Sequence, residues 1–313
     1  MIVTVTANPS VDRTIEIDSL QRGAVLRTRS ALLDAGGKGV NVARALAANG
    51  VAATAVLPTG GAEGVQLTAL LATAGITVVE VPIAGAVRSN ITIAEADGTT
   101  TKLNEPGPRL DAAERARLVA ATLDAAEGAD WVVLCGSLPP GLPADFYADL
   151  TLRLRERGAR VAVDTSGDAL RAAVAGRPDL VKPNREELAD LVGHEVRTLG
   201  DALSAAREVL DQGVATVVAS VGAEGALLVT ADGAWHAHST FVEPRSTVGA
   251  GDALLAGFLA AGHLGPDALA DAVAWGAAAA ALPGSRMPTP AELDRAAVRC
   301  SPAFDPAATL TEN

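Results

Sequence analysis

The chain has 313 residues, 49% of them hydrophobic and 20% charged, enough for a large buried core in one big domain or two smaller ones. Its net charge of −12 argues against nucleic acid or an anionic membrane as partner, and any anionic substrate must be met by locally gathered cations. Two cysteines, Cys135 and Cys300, imply no disulfide framework and fit a reducing compartment; with no basic leader and no apolar run long enough to span a bilayer, a cytoplasmic protein is expected.

In chain order, IVTVTA (2–7) reads as a buried strand. VDRTIEID (11–18) and VLRTRSALLD (25–34) are alternating and polar, as half-exposed antiparallel strands are. GVNVARALAANG (39–50) has helical spacing and ends in Gly, a common helix stop. A strand at 53–58, a helix at 63–75 and a strand at 76–82 follow. RSNITIAEADGTTTKLNEPG (88–107) is again alternating and Thr-rich, with ADGT as a hairpin-type turn. Helical spacing returns at 111–128, 143–158 and 199–213, and buried strands at 131–136, 160–165 and 215–221. WGAAAAAL (275–282) reads as a buried helix. Beyond about residue 285 the chain is Pro-rich and polar, and its tail is expected to fray.

Strand–helix alternation of this length implies an α/β fold, a mostly parallel sheet covered by helices on both faces. The polar strands interrupt it early. They predict a small β-sheet lid over one mouth of the sheet, made from inserted segments about 11–34 and 86–106. No repeat or linker divides the chain, so residues 1–313 are expected to form one domain with that lid.

Six short motifs carry candidate chemistry, and each also has a purely structural reading. NPSVD (8–12) ends the first strand, where ligands of open α/β sheets lie; Asp12 there could accept from sugar hydroxyls, or the stretch could be ordinary turn chemistry. DAGGKGVNVA (34–43) places Gly37 and Lys38 before a helix, with Asn41 in its first turn; it lacks the P-loop spacing, so it is either an anion-approaching turn or a plain glycine-rich one. On the lid strands, Arg88 and Asn90 share a face, as do Lys102 and Asn104. Two cations and two amides suit a phosphorylated, hydroxyl-rich ligand, and equally a charged edge strand.

VKPNREEL (181–188) places Asn184 and Glu187 three apart at a helix start. They fit the outer sphere of Mg²⁺, but alone they read better as an N-cap completed by a capping box. SVGAEGALLV (220–229) is a strand, a tight turn with Gly222 and Gly225, and another strand, able to lie against a nucleotide or simply to be a hairpin. In TVGAGDALLAGF (247–258), Gly249, Ala250 and Gly251 open a helix that also carries Asp252. Alone it reads as a capped helix start, and it is no dinucleotide fingerprint, because residue 254 is Leu.

Arginine dominates the cations, and only three lysines occur: Lys38, Lys102 and Lys182, each in a loop-like motif, which points to three anion contacts. His236 and His238 share one face of an exposed strand and have no Cys or carboxylate cluster beside them; His194 and His263 follow helical stretches and need no function. CGSLPPG (135–141) is a strand-end turn with Ser137 at the ligand-facing edge, not a hydrolase elbow.

Together, NPSVD, GGKGVNVA, GSLPPG, KPNREE, SVGAEG and TVGAGD resemble, in order and spacing, the ribokinase-like (PfkB) family of carbohydrate kinases across nearly the whole chain. TxNPxxD, GGKGxNVA and KLNEPGP look most like its bacterial 1-phosphofructokinase branch. The resemblance implies a three-layer α/β/α sandwich and an ATP-dependent kinase acting on D-fructose 1-phosphate. Tagatose-6-phosphate kinase or 6-phosphofructokinase activity is the alternative, and a non-catalytic sugar-phosphate sensor the reading from another class. It implies Asp252 as base and the amides of Gly249, Ala250 and Gly251 as an anion hole. Asn184 and Glu187 would organise Mg²⁺ through water, with Lys182, Ser220, Gly222 and Gly225 facing ATP. Asp12, Gly37, Lys38 and Asn41 would hold the sugar, with Ser137 at its edge. Arg88, with Asn90, Lys102 or Asn104 nearby, would hold the existing phosphate. A homodimer through the lid is also expected.

Overall fold

The structure is a computed structural model, and it describes residues 1–240, 243–262 and 264–311. In chain order the first half contains β1 (Ile2–Thr6), β2 (Ser10–Ile17), β3 (Ser30–Gly36), α1 (Lys38–Ala48), β4 (Ala53–Thr59), α2 (Gly61–Thr73), β5 (Thr77–Pro82), β6 (Arg88–Glu95), β7 (Thr100–Asn104) and α3 (Ala112–Ala125). Next come β8 (Trp131–Cys135), α4 (Phe146–Glu156), β9 (Val161–Asp164), α5 (Gly167–Ala175), β10 (Leu180–Val181), α6 (Arg185–Val192) and α7 (Leu199–Asp211). The last part holds β11 (Thr216–Ser220), β12 (Ala226–Thr230), β13 (Gly233–Ser239), α8 (Ala250–Ala260), α9 (Pro266–Ala280) and β14 (Val298–Ser301).

Strands that are apolar at every position need cover on both faces, and here they have it. Along β8, Val132 and Leu134 point into one core while Trp131, Val133 and Cys135 point into another. The first core is closed by α3 to α7, through Leu118, Leu150, Val174, Leu188 and Val209. The second is closed by α1, α8 and α9, through Leu46, Phe258 and Val273. Burying each such large side chain stabilises the fold by about 1.5–3 kcal/mol.

Among the described residues the main sheet has ten strands, ordered β14-β13-β12-β11-β10-β9-β8-β1-β4-β5. From β11 across to β5 all pairings are parallel, which gives the expected α/β/α layers. β12, β13 and β14 extend one edge antiparallel. In the parallel part every strand's carboxyl end lies on the same side of the sheet, and the site forms there.

The lid is a four-stranded sheet, β3-β2-β6-β7. Its outer pairings are antiparallel, but β2 and β6 run parallel, with Ser10 opposite Arg88 and Ile17 opposite Glu95. This corrects the all-antiparallel expectation. Between β2 and β6 the chain passes back through the core as α1, β4, α2 and β5, and such a crossover returns it in the same direction. The segment 25–34 is also strand only from Ser30, and Val25 is 97% exposed. At its base the lid shares a third apolar cluster with α1 and α2, including Val11, Ala35, Val40 and Leu67.

The tail does not fray as expected within the described residues. β14 pairs with β13, and Leu310 is buried in the first core. His236 and His238 stack at 5.4 Å on β13 and are half-buried rather than exposed. His263 lies outside the described residues. Among the described residues no helix is long and apolar enough to cross a membrane.

Candidate active site

Two helices without side-chain caps meet at the carboxyl side of the sheet. α1 starts at Gly37 and α8 at Gly249, with φ of 113° and 79°, conformations that favour glycine. Neither has a side-chain N-cap, so neither N-terminus is satisfied internally. Asp252 lies in the first turn of α8 but does not cap it. Its Oδ2 instead accepts from Asn41 Nδ2 of α1 at 2.8 Å. Arg44, one turn further along α1, donates to Asn41 Oδ1 at 3.3 Å and so orients that amide.

Asp252 is only 7% exposed. Burial and the nearby Asp164 push its carboxyl up to about 6, against the pull of Lys38, the Asn41 amide and Lys182. A carboxylate with such a value takes a proton near neutral pH far more readily than a solvated one.

Asp164, at the end of β9, is fully buried and joins the two lysines of the site. Lys38 Nζ donates to its Oδ1 at 2.7 Å, and Lys182 Nζ stands 3.2 Å from its Oδ2 as an ion pair. Burial alone would raise the Asp164 carboxyl, but Lys182 and Lys38 together hold it below the usual carboxylate range. Lys38 also reaches Glu187 Oε1 at 3.1 Å. Burial opposes its charge, yet Asp164 and Glu187 raise it above the usual ammonium range. Lys182 is 4% exposed, and its Nζ lies 3.4 Å from where a Cβ on Gly251 would stand. A cation thus faces the open end of α8.

Asn184 and Glu187 form the complete capping box of α6. Asn184 Oδ1 accepts from Glu187 N at 2.7 Å, and Glu187 Oε2 accepts from Asn184 N at 2.9 Å. Glu187 keeps its other oxygen toward Lys38. Ser220 N donates to the Pro183 carbonyl at 3.0 Å and ties the 220–225 turn to this helix start. In that turn Gly222 and Gly225 both have positive φ. A Cβ on Gly225 would meet Ala237 O at 2.1 Å, so the turn lies flush on β13.

On the lid side, Asp12 Oδ1 accepts from Ser10 Oγ at 2.6 Å and from Asn90 Nδ2 at 2.9 Å. A Cβ on Gly36 would lie 2.3–2.5 Å from the Asp12 carboxylate, so that glycine makes room for it. Arg88 donates to the carbonyls of Asn8 at 3.1 Å and Glu105 at 3.0 Å, and its buried Nε has no partner. Burial lowers Arg88 from the usual guanidinium range, with Asp12 and Glu105 offsetting. Asn8 reaches Ser137 Oγ at 3.2 Å. Asn104 stands opposite Asn90, whereas Lys102 stands opposite Thr92, further out and exposed.

The structure therefore gathers Asp252, Asn41, Lys38, Lys182 and Glu187 into one cluster. It places Asp12, Asn90 and Arg88 on the adjoining lid strands and leaves Lys102 at the rim. Asp164 was missed in the sequence. Its signal was an acid closing the apolar strand RVAVDT at the sheet's ligand side.

A polar lid face carrying Asp12, Asn90 and Arg88, beside a buried carboxyl and an open helix end, suits phosphoryl transfer to an alcohol, and comparison with known proteins agrees. Residues 5–290 match the pfkB family carbohydrate kinase. This chain belongs to the PfkB family of carbohydrate kinases. It is accordingly a phosphotransferase with an alcohol acceptor. It is 43% identical over 271 residues to a 1-phosphofructokinase of Rhodobacter capsulatus, covering 85% of each chain. It is 35% identical to the phosphofructokinase-2 of Escherichia coli solved with substrates and products, at TM-score 0.87 over 93% of this chain and 96% of that one. A Thermotoga maritima ribokinase shares the fold at TM-score 0.76 and 19% identity, over 93% of this chain and 97% of that one.

Proposed function

We propose that this PfkB kinase transfers the γ-phosphoryl group of ATP to D-fructose 1-phosphate, giving fructose 1,6-bisphosphate and ADP. The observation that carries this reading is Asp252: a buried carboxyl raised to about 6 beside an uncapped helix N-terminus. With Oδ2 held by Asn41, Oδ1 is free to accept the proton of the attacking sugar hydroxyl. As the new P–O bond forms, the bond to the bridging oxygen of ADP breaks. The amides of Gly249, Ala250 and Gly251, with Lys182 facing them, stabilise the charge on the group in flight. The acid and the amides act on two ends of one forming bond, which is why they are neighbours.

Asp12, set by Ser10 and Asn90, holds sugar hydroxyls, with Gly37, Lys38 and Ser137 around them. Arg88 takes the existing phosphate, with Asn104 and Lys102 nearer the rim. Lys182, Ser220, Gly222 and Gly225 face the nucleotide. The residues fit Mg²⁺: Asp164 Oδ2 is buried with only Lys182 Nζ beside it, at 3.2 Å, and Glu187 stands across Lys38 from Asp164. Two hard carboxylates suit an ion that binds few protein groups and keeps its waters. An Mg²⁺ ion held there would supply charge neutralisation for the phosphates of ATP. Asn184 contributes by fixing Glu187 through the cap.

The protein acts in the cytoplasm, in keeping with its two free cysteines. It pairs through the lid, which leaves Leu32 59% and Leu103 54% exposed. Likeness to the Escherichia coli phosphofructokinase-2 solved with fructose 6-phosphate makes that sugar the second reading. Coupled ADP release with fructose 1-phosphate, fructose 6-phosphate and tagatose 6-phosphate separates them. Fructose 1-phosphate is expected to have the highest kcat/KM, and preference for either other sugar overturns the assignment.

A further inference from the structure

The family match stops at residue 290, yet the chain beyond it is built into the nucleotide side of the fold. After β14, residues 302–311 run along α7 and the segment before it. Leu199 N and Gly200 N donate to the carbonyls of Ala308 and Pro306 at 3.0 and 2.8 Å, and Leu310 N donates to Arg197 O at 2.8 Å. A Cβ on Gly200 would stand 2.8 Å from Pro306 O, so the strap needs a glycine there. Phe304 tilts against His236, and Leu310 is buried at 4% exposure.

Thr311 is the last described residue of the strap. Its amide and hydroxyl both donate to Glu224 Oε1, at 3.3 and 2.9 Å, and its carbonyl accepts from Arg185 Nη1 at 3.0 Å. Glu224 belongs to the 3₁₀ turn Gly222–Glu224 that follows β11, and Arg185 opens α6 directly after Lys182, Pro183 and Asn184. Those two segments are already joined by the Ser220 amide on the Pro183 carbonyl. Thr311 joins them a second time. Glu224 Oε2 is buried without a partner, so among the described residues Thr311 supplies the only hydrogen bonds to this carboxylate. The carbonyl of Glu224 is held as well, 2.6 Å from His236 Nε2.

We propose that Thr311 is a positioning residue for the nucleotide: the C-terminal strap holds the 222–225 turn and the start of α6 in register for ATP. The inference rests on the kinase reading above. A carboxylate that loses the shorter of its two donors is held less firmly and lets the turn shift with it. Among the described residues, the hydrogen bonds of Thr311 go to Glu224 and Arg185 and none goes to α1 or the lid, where the sugar side is built.

The test compares Thr311→Val, which removes the hydroxyl donor at nearly constant volume, with Thr311→Ser, which retains it. KM for ATP is expected to rise about three- to tenfold in T311V, because only part of the worth of the lost hydrogen bond passes through the turn to ATP, and to recover in T311S. KM for fructose 1-phosphate and kcat at saturating ATP stay at their wild-type values. R185M, which releases the other end of the tie, gives the same selective change. Calorimetric titration of ATP alone into wild type and T311V reads the same shift independently of the sugar. Unchanged ATP affinity in T311V, or equal losses for ATP and sugar together with a lowered Tm, overturns the proposal. Failure of the wild type to phosphorylate any ketohexose phosphate overturns the substrate assignment instead.

Discussion

Replacing Asp252 by Asn should make the protein more stable at pH 8 while removing its activity. The reason is the carboxyl's raised value. At pH below 3.8 the group is protonated in both the folded and the unfolded chain and favours neither. Between 3.8 and about 6 the unfolded chain releases the proton and the folded one keeps it, so stability falls as pH rises. Above 6 the folded protein carries an unfavourably buried charge near Asp164, and the loss is complete. A shift from 3.8 to about 6 is about two units, or about 3 kcal/mol at most. The amide in D252N is neutral at every pH and can still accept from Asn41. A gain of about 1–3 kcal/mol, or about 2–6 °C in Tm, is expected at pH 8 for a chain of this size. Differential scanning calorimetry at pH 8, 6 and 4 measures it. The gain should shrink through pH 6 and vanish near pH 4. A variant no more stable than wild type at pH 8, or a gain independent of pH, would refute the reasoning. Such a site is kept at a cost to stability, as functional carboxylates often are.

Two further predictions concern the sugar side. Arg88→Met should raise KM for the sugar phosphate about ten- to a hundredfold, the worth of charge-assisted hydrogen bonds to a phosphate, and leave KM for ATP unchanged; steady-state kinetics with each substrate varied in turn checks it, and an unaltered sugar KM removes Arg88 from the site. Gly36→Ala puts a Cβ within 2.3–2.5 Å of the Asp12 carboxylate, so that side chain must leave Ser10 and Asn90. A rise of about tenfold or more in sugar KM follows from such misplacement, and kinetics indistinguishable from wild type would show that Asp12 does not bind sugar.

Much of this molecule was readable from residue pattern because its strands and helices obey the two periodicities strongly. The apolar runs that became β1, β4, β8, β9 and β11 are buried on both faces, which leaves no polar alternation to confuse them. The candidate site stood out only as a constellation. GAGD alone favoured a capped helix, and the structure shows that Asp252 leaves the helix uncapped and turns to Asn41. Conversely, Asn184 and Glu187 do form the capping box that their spacing suggests, and Glu187 serves the cap with one oxygen and Lys38 with the other.

What the sequence hid was long-range. Asp164 is one acid after an ordinary strand, and its importance comes from two lysines 126 positions before and 18 after it. Gly36 matters because a strand partner brings Asp12 against it. The parallel β2–β6 pairing depends on the direction in which the chain re-enters the lid, which local alternation cannot record. The polar, Pro-rich tail lacks periodicity because it is held by backbone hydrogen bonds and by a few anchors such as Leu310 and Thr311.

The account turns on Asp252 as the base for phosphoryl transfer to fructose 1-phosphate, and turnover of D252N with saturating ATP and fructose 1-phosphate tests it most directly. The expected result is a fall in kcat of about 10²–10⁴-fold with both substrates still bound. Turnover at the wild-type rate would contradict it.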